Sequence, residues 1–230
     1  MSIPSIPKIP ALDGWFFLFS LPGIAGAYIF TTLSAGNMPF NLLRITKPAG
    51  SLSVKIISPC DQFQTKWAVK TAIETDGPFY IRLGRCDVPD VYDENTEFEF
   101  GKGKEVVHGN DITIVATGMM VSRAVEAANK LQSEGISTRV IDIHTIKPID
   151  EDILIKAAKE TKAIVTVEEH NIIGGLGGAV CEVLAEKCPT RVIRIGVQDE
   201  FGQSGKADEL LELYGLTADN IVRCVREHCH

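Results

Sequence analysis

Short apolar segments of strand length recur from residue 52 to residue 197, separated by stretches with helical spacing, and this rhythm restricts the fold more than any other feature. Strands that alternate with helical patterns of about 10–15 residues argue for an α/β fold with a doubly wound, mostly parallel sheet. Residues 52–57 alternate and then turn apolar, as a half-buried strand should. Ser58-Pro59-Cys60-Asp61 supplies capping chemistry, and Phe63, Trp67, Ala68 and Ala72 share a helical face. Gly77-Pro78 stops that helix, and residues 79–83 read as the next strand.

An acidic stretch at 87–99 reads as a domain linker. A second series follows it. Strands are expected at 112–116, 139–143, 163–167 and 191–197. A helix with Val121, Ala124, Val125, Ala128 and Leu131 on one stripe follows the first and ends at Gly135. Pro148-Ile149-Asp150 opens another, with Ile153, Leu154, Ala157 and Ala158 inward, and a glycine-rich turn precedes a third at 176–187. Two short helices close the chain, at 206–214 and after a Thr217 cap. Residues 105–228 thus make a complete α/β domain, whereas residues 52–86 hold one strand-helix-strand piece, too little to fold alone.

The opening fifty residues differ. No charged residue lies between Asp13 and Arg44, and the segment nets +2 while the other 180 residues net −9. Residues 14–36 are apolar enough to raise a membrane span, but Pro22, Gly23, Gly26, Ser34 and Gly36 interrupt them. A buried turn-and-helix piece of a globular domain reads equally well, and a span is not expected. The overall charge of −7 argues against nucleic acid, which needs a basic face. Six cysteines without a CxxC pair fit reduced thiols in a cytoplasmic protein.

Three places carry chemistry. In Tyr80-Ile81-Arg82-Leu83-Gly84-Arg85, arginines end a strand, and a guanidinium fork suits phosphate or carboxylate; an ion pair with the acidic linker explains Arg85 as well. Glu168-Glu169-His170 precedes Gly174-Gly175-Leu176-Gly177-Gly178, a pattern that serves acid-base work at a helix start or simply close helix-sheet packing. His144-Thr145-Ile146-Lys147-Pro148 faces a ligand or forms a helix-opening turn set by Pro148. The tail holds Cys224, His228, Cys229 and His230, but without a second ligand pair no metal site is expected.

These motifs resemble the transketolase family. Val54-Lys55-Ile56-Ile57-Ser58-Pro59-Cys60-Asp61 and Gly77-Pro78-Phe79-Tyr80-Ile81-Arg82-Leu83-Gly84-Arg85 look like the latter part of a transketolase pyrimidine-binding domain. Asp142 to Asp150, Val167 to Gly177 and Phe201-Gly202-Gln203-Ser204-Gly205 resemble the transketolase C-terminal domain. The resemblance implies an atypical apolar segment at 1–51, an incomplete α/β pyrimidine-binding domain with its linker at 52–97, and a C-terminal domain at 98–230. It implies the C-terminal part of a thiamine-diphosphate-dependent enzyme that moves a two-carbon ketol unit between sugar phosphates, with Mg holding the diphosphate. The partner would be an N-terminal transketolase subunit, in a homodimer or heterotetramer, and the chain would be inactive without it. By the same resemblance Arg85 binds the substrate phosphate, with His144, Glu169 and His170 at an anion or interface site.

One departure is large. The family's Gly-Ile-Ala-Glu-Gln-like motif carries the glutamate that activates the coenzyme, but here Gly23-Ile24-Ala25 is followed by Gly26, and no glutamate precedes Glu74. No catalytic or cofactor-binding residue can be carried over. A non-catalytic dimerisation or effector-binding module is therefore the alternative.

Overall fold

The computed structural model describes residues 54–84 and 86–228 in full and two strands before them, β1 (Phe17–Ser20) and β2 (Tyr28–Thr32). Three elements follow: β3 (Lys55–Ile57), α1 (Gln62–Glu74) and β4 (Phe79–Arg82). The later half contains β5 (Lys104–Val107), β6 (Ile112–Ala116), α2 (Met120–Ser133), β7 (Thr138–Asp142), β8 (Thr145–Lys147) and α3 (Glu151–Glu160). It ends with β9 (Ile164–Asn171), α4 (Leu176–Lys187), β10 (Val192–Val197), α5 (Ala207–Leu213) and α6 (Ala218–His228).

The strands form two five-stranded sheets, ordered β1-β2-β4-β3-β8 and β10-β9-β6-β7-β5. In the second, β10, β9, β6 and β7 run parallel, and β5 closes the edge antiparallel to β7. All five residues of β6 are buried, because helices cover both faces. Ile112, Ile114 and Ala116 pack with Met120, Ala124 and Leu131 of α2 and with Ile221 and Val225 of α6. Val115, of opposite parity, joins Leu154 of α3 and Leu176, Val180 and Leu184 of α4. The doubly wound, mostly parallel architecture is the one expected from the alternation of elements.

In the first sheet, β2, β4 and β3 are mutually parallel, and Ile57, Ala68, Ala72, Phe79 and Ile81 form its core. Asp61 caps α1 by accepting from the Gln64 amide at 2.8 Å, as the capping chemistry predicts. The inward face of α1 is Gln64, Ala68 and Ala72, rotated from the expected Phe63 and Trp67, which are only half-buried. Gln64 turns inward because its amide has polar partners there, a pull that hydropathy does not register. Val69 and Ile73 are left facing solvent.

Four expectations change. Within the apolar stretch at 14–36 the described residues, Phe17–Ser20 and Tyr28–Thr32, are strands where a turn-and-helix piece is one expectation, and β2 pairs in register with β4 from Ile29–Phe79 to Thr32–Arg82. No helix among the described residues is long and apolar enough to cross a membrane. Residues 145–147 are a strand, not only a helix-opening turn, because β8 has open backbone groups to pair with β3. The ninth strand continues to Asn171, past the expected end at 167, because Val197 on β10 still offers a partner there. Lys104–Val107, which carries no strand signal in the sequence, is the β5 edge.

The chain crosses between sheets three times among the described residues, from β4 to β5, from β7 to β8 and from β8 to β9. After Asp142 it leaves β7 and within three residues joins the other sheet as β8. Residues 87–99, read as a linker, contain no strand or helix, yet Val91 and Tyr92 pack against the core of the second sheet.

Candidate functional site

Arg82, the last residue of β4, extends from the first sheet to β9 of the second. Its Nη2 donates to the Glu169 backbone carbonyl and to Glu169 Oε2, the latter at 3.2 Å. A cavity of about 20 Å³ lies beside this pair, lined by Ser58, Tyr80, Arg82, Thr117, Glu168, Glu169 and His170, enough for about one water molecule. It sits at the carboxyl ends of β3, β4, β6 and β9, where open parallel sheets gather ligands.

Glu168 reaches the start of α4. Leu176 N donates to Oε2 at 2.7 Å and Gly177 N to Oε1 at 2.8 Å, so the chain's own carboxylate occupies the anion-favouring end of the helix. Gly175 makes room: a Cβ there would stand 1.9 Å from Glu168 Oε2. Burial pushes the Glu168 carboxyl up to about 7 despite the opposing pull of both amides and of Arg82 and Arg194. Gly177 similarly abuts Thr166 and Arg194, so the glycines serve close helix-sheet packing.

His170 Nδ1 donates to the Asn171 carbonyl at 2.8 Å, which fixes the proton on Nδ1 in the neutral ring. Burial, helped by the Arg82 charge, pulls its pKa down to about 4. Glu169 and His170 lie together with Arg82 along the cavity. His144 does not join them. It is 1% exposed, its Nδ1 is 2.9 Å from Thr145 Oγ1, and its ring meets Trp67 edge-on at 4.6 Å between centroids. Burial and the Lys104 charge lower its pKa to about 4. Arg85, singled out by sequence, lies outside the described residues.

A second buried cluster was not anticipated. Asp142 Oδ2 accepts from Gln64 Nε2 at 2.7 Å and from the Tyr92 hydroxyl at 2.9 Å, while Oδ1 has no hydrogen-bond partner. Gln64 is oriented by its own Oε1, which accepts from Cys60 N at 2.8 Å. Asp61 Oδ2 in turn accepts from the amides of Val91 and Tyr92. These bonds tie α1, residues 91–92 and β7 into one junction. Burial pushes Asp142 up to about 7 and also raises the Cys60 thiol and Tyr92 hydroxyl. The sequence signal for it is one carboxylate closing the apolar strand Val140-Ile141-Asp142.

Of the tail, Cys224 is half-buried and His228 Nδ1 accepts from Arg191 at 3.3 Å; Cys229 and His230 lie outside the described residues. Among the described residues no group of three or more His, Cys, Asp or Glu is placed to hold a metal ion.

The family model for the transketolase C-terminal domain matches residues 101–221. A 6-deoxy-6-sulfo-D-fructose transketolase subunit from Clostridium sp. (strain MSTE9) is 44% identical, over 75% of this chain and 53% of its own. An apulose-4-phosphate transketolase subunit from Phocaeicola vulgatus is 39% identical, over 89% of this chain and 65% of its own. A solved split-gene transketolase, an inactive β4 tetramer, superposes with a TM-score of 0.76 at 45% identity, covering 83% of this chain and 61% of that one. The chain thus spans between half and two-thirds of the curated relatives' length. A match over more than half of the sequence, on the doubly wound domain that carries Glu168, Glu169 and His170, makes this chain a member of the transketolase C-terminal domain family.

Proposed function

We propose that the chain is the C-terminal part of a thiamine-diphosphate-dependent transketolase, working only beside an N-terminal subunit to move two-carbon ketol units between sugar phosphates in the cytoplasm. The observation that carries this reading is the junction itself. Arg82 ends a pyrimidine-domain-like strand and is held by Glu169 of the C-terminal domain, so both pieces meet at strand ends suited to a ligand. In this reading residues 52–97 are the latter part of a pyrimidine-binding domain, residues 98–230 the C-terminal domain, and Arg85 grips the substrate phosphate through its planar fork. Assembly is with N-terminal subunits and a second copy of this chain, as a homodimer or heterotetramer.

The described residues do not fit the coenzyme's diphosphate and Mg. No group of three or more metal-capable side chains is among them, and the amides at the start of α4 are taken by Glu168. Diphosphate and metal then fall to the N-terminal subunit. Gly26, standing after Gly23-Ile24-Ala25 where the resembling family motif has a glutamate, favours a second reading, a non-catalytic dimerisation or effector-binding module.

The deciding experiment mixes the purified chain with the N-terminal subunit of a split transketolase, thiamine diphosphate, Mg, xylulose 5-phosphate and ribose 5-phosphate. Ketol transfer that needs both polypeptides supports the enzyme. A stable complex without transfer leaves the non-catalytic module, and transfer by this chain alone refutes dependence on a partner.

A further inference from the structure

The carboxyl ends of β3 and β4 are tied to the transketolase C-terminal domain at several points. Arg82 Nη2 is held by two oxygens of one residue, the carbonyl and carboxylate of Glu169. Two residues further on, Gly84 packs beside Met119, where a Cβ would lie 3.7 Å from the sulfur. On the neighbouring strand end, the Ser58 carbonyl accepts from Gly118 N at 3.2 Å and from Thr117 Oγ1 at 3.3 Å. Residues 82–84, which lead into Arg85, are thereby docked on β9 and the start of α2.

The chemistry of Glu169 suits an indirect role. A free carboxylate beside a phosphate site would repel the ligand. Here Arg82 engages that charge, with the two side chains 21% and 29% exposed. A guanidinium bonded to a carboxylate and to a carbonyl of the same residue also loses the swing that a lone arginine keeps.

We infer that Glu169 is a positioning residue for phosphate recognition. Through Arg82 it fixes the end of β4, and with it the approach of the chain to Arg85, without itself touching the sugar. The inference rests on the proposed reading that Arg85 grips the substrate phosphate, and it adds that the C-terminal domain sets how strongly phosphorylated sugars are preferred.

The test measures binding, so it does not need turnover. The full chain is assembled with the N-terminal subunit, thiamine diphosphate and Mg, and titrated calorimetrically with ribose 5-phosphate and, separately, with ribose. Glu169→Gln should weaken ribose 5-phosphate about tenfold relative to ribose, a loss of one charge-assisted contact. In an Arg82→Gln background the same change should have no further effect, because the route through Arg82 is already cut. Glu169→Asp, which keeps the charge, should recover part of the preference. Guanidinium midpoints of each variant report folding separately. Equal losses for both sugars, no loss, or full additivity with Arg82→Gln would overturn the positioning role. If the wild-type complex transfers no ketol yet its phosphate preference depends on Glu169, the enzymatic reading fails and the positioning role stands.

Discussion

Glu168 offers the sharpest physical test of the site. It is 2% exposed, and its carboxylate holds the first amides of α4, yet burial outweighs those bonds and lifts its pKa from 4.5 to about 7. The sign of the linkage follows from proton uptake. Between pH 4.5 and about 7 the unfolded chain has released the proton while the folded chain retains it, so stability falls as pH rises through that window and is flat above it. Each pKa unit is worth about 1.4 kcal/mol, so the shift amounts to about 3 kcal/mol, the same order as one or two charge-assisted hydrogen bonds. Glu168→Gln keeps the shape and one acceptor oxygen but does not titrate. The stability advantage of the native protein over the Gln variant should therefore shrink by about 3 kcal/mol from about pH 4.5 to about pH 8. Guanidinium unfolding of both proteins across that range measures it, and other titrating groups cancel in the difference. A pH-independent difference would refute the claim that a buried, proton-holding carboxyl caps α4.

Gly175→Ala should destabilise by about 2–4 kcal/mol, since the new Cβ displaces Glu168 from two amides, whereas Gly178→Ala, with nothing within 4 Å, should be neutral or stabilising by up to about 1 kcal/mol. Thermal melts of the two variants distinguish a specific close approach from a general wish for glycine. Gln64→Ala and Tyr92→Phe should each cost about 1–3 kcal/mol by leaving the Asp142 carboxyl less satisfied, and the pair should be non-additive in denaturant titrations because they share one oxygen. His144 and His170 have folded pKa values lowered to about 4, so the unfolded chain takes up their protons first and stability falls as pH drops from 6.5 towards 4. Ring proton shifts of both should stay flat by NMR from about pH 7 to about pH 5, and movement there would contradict their buried neutral state.

How much of this was legible varies from element to element. The helix at Leu176–Lys187 appears where the glycine run and the apolar spacing of Leu176, Val180 and Leu184 locate it, because packing on one face demands that period. Asp61 and Asp150 cap α1 and α3 as their positions before helical patterns require. The strand character of residues 145–147 was hidden, since its cause is pairing with β3, about ninety positions earlier. The inward turn of Gln64 was hidden for the same reason: its partner, Asp142, is 78 residues away. Glu169 and His170 were visible as a motif, but nothing local distinguishes them from Glu168, whose carboxylate is spent on a helix start.

The amino-acid order alone determined the alternation of elements, the parallel doubly wound domain and the family resemblance. The first two follow from hydrophobic period, capping and turn chemistry acting over a few residues, and the resemblance rests on the motifs themselves. Tertiary structure decided which polar side chains meet: Arg82 with Glu169, Gln64 with Asp142, and His144 among aromatic rings instead of at the cavity. Those contacts join segments far apart in the chain, and burial then sets which groups hold a proton. Neither effect leaves a mark in local composition, because both depend on what lies across the junction between two sheets.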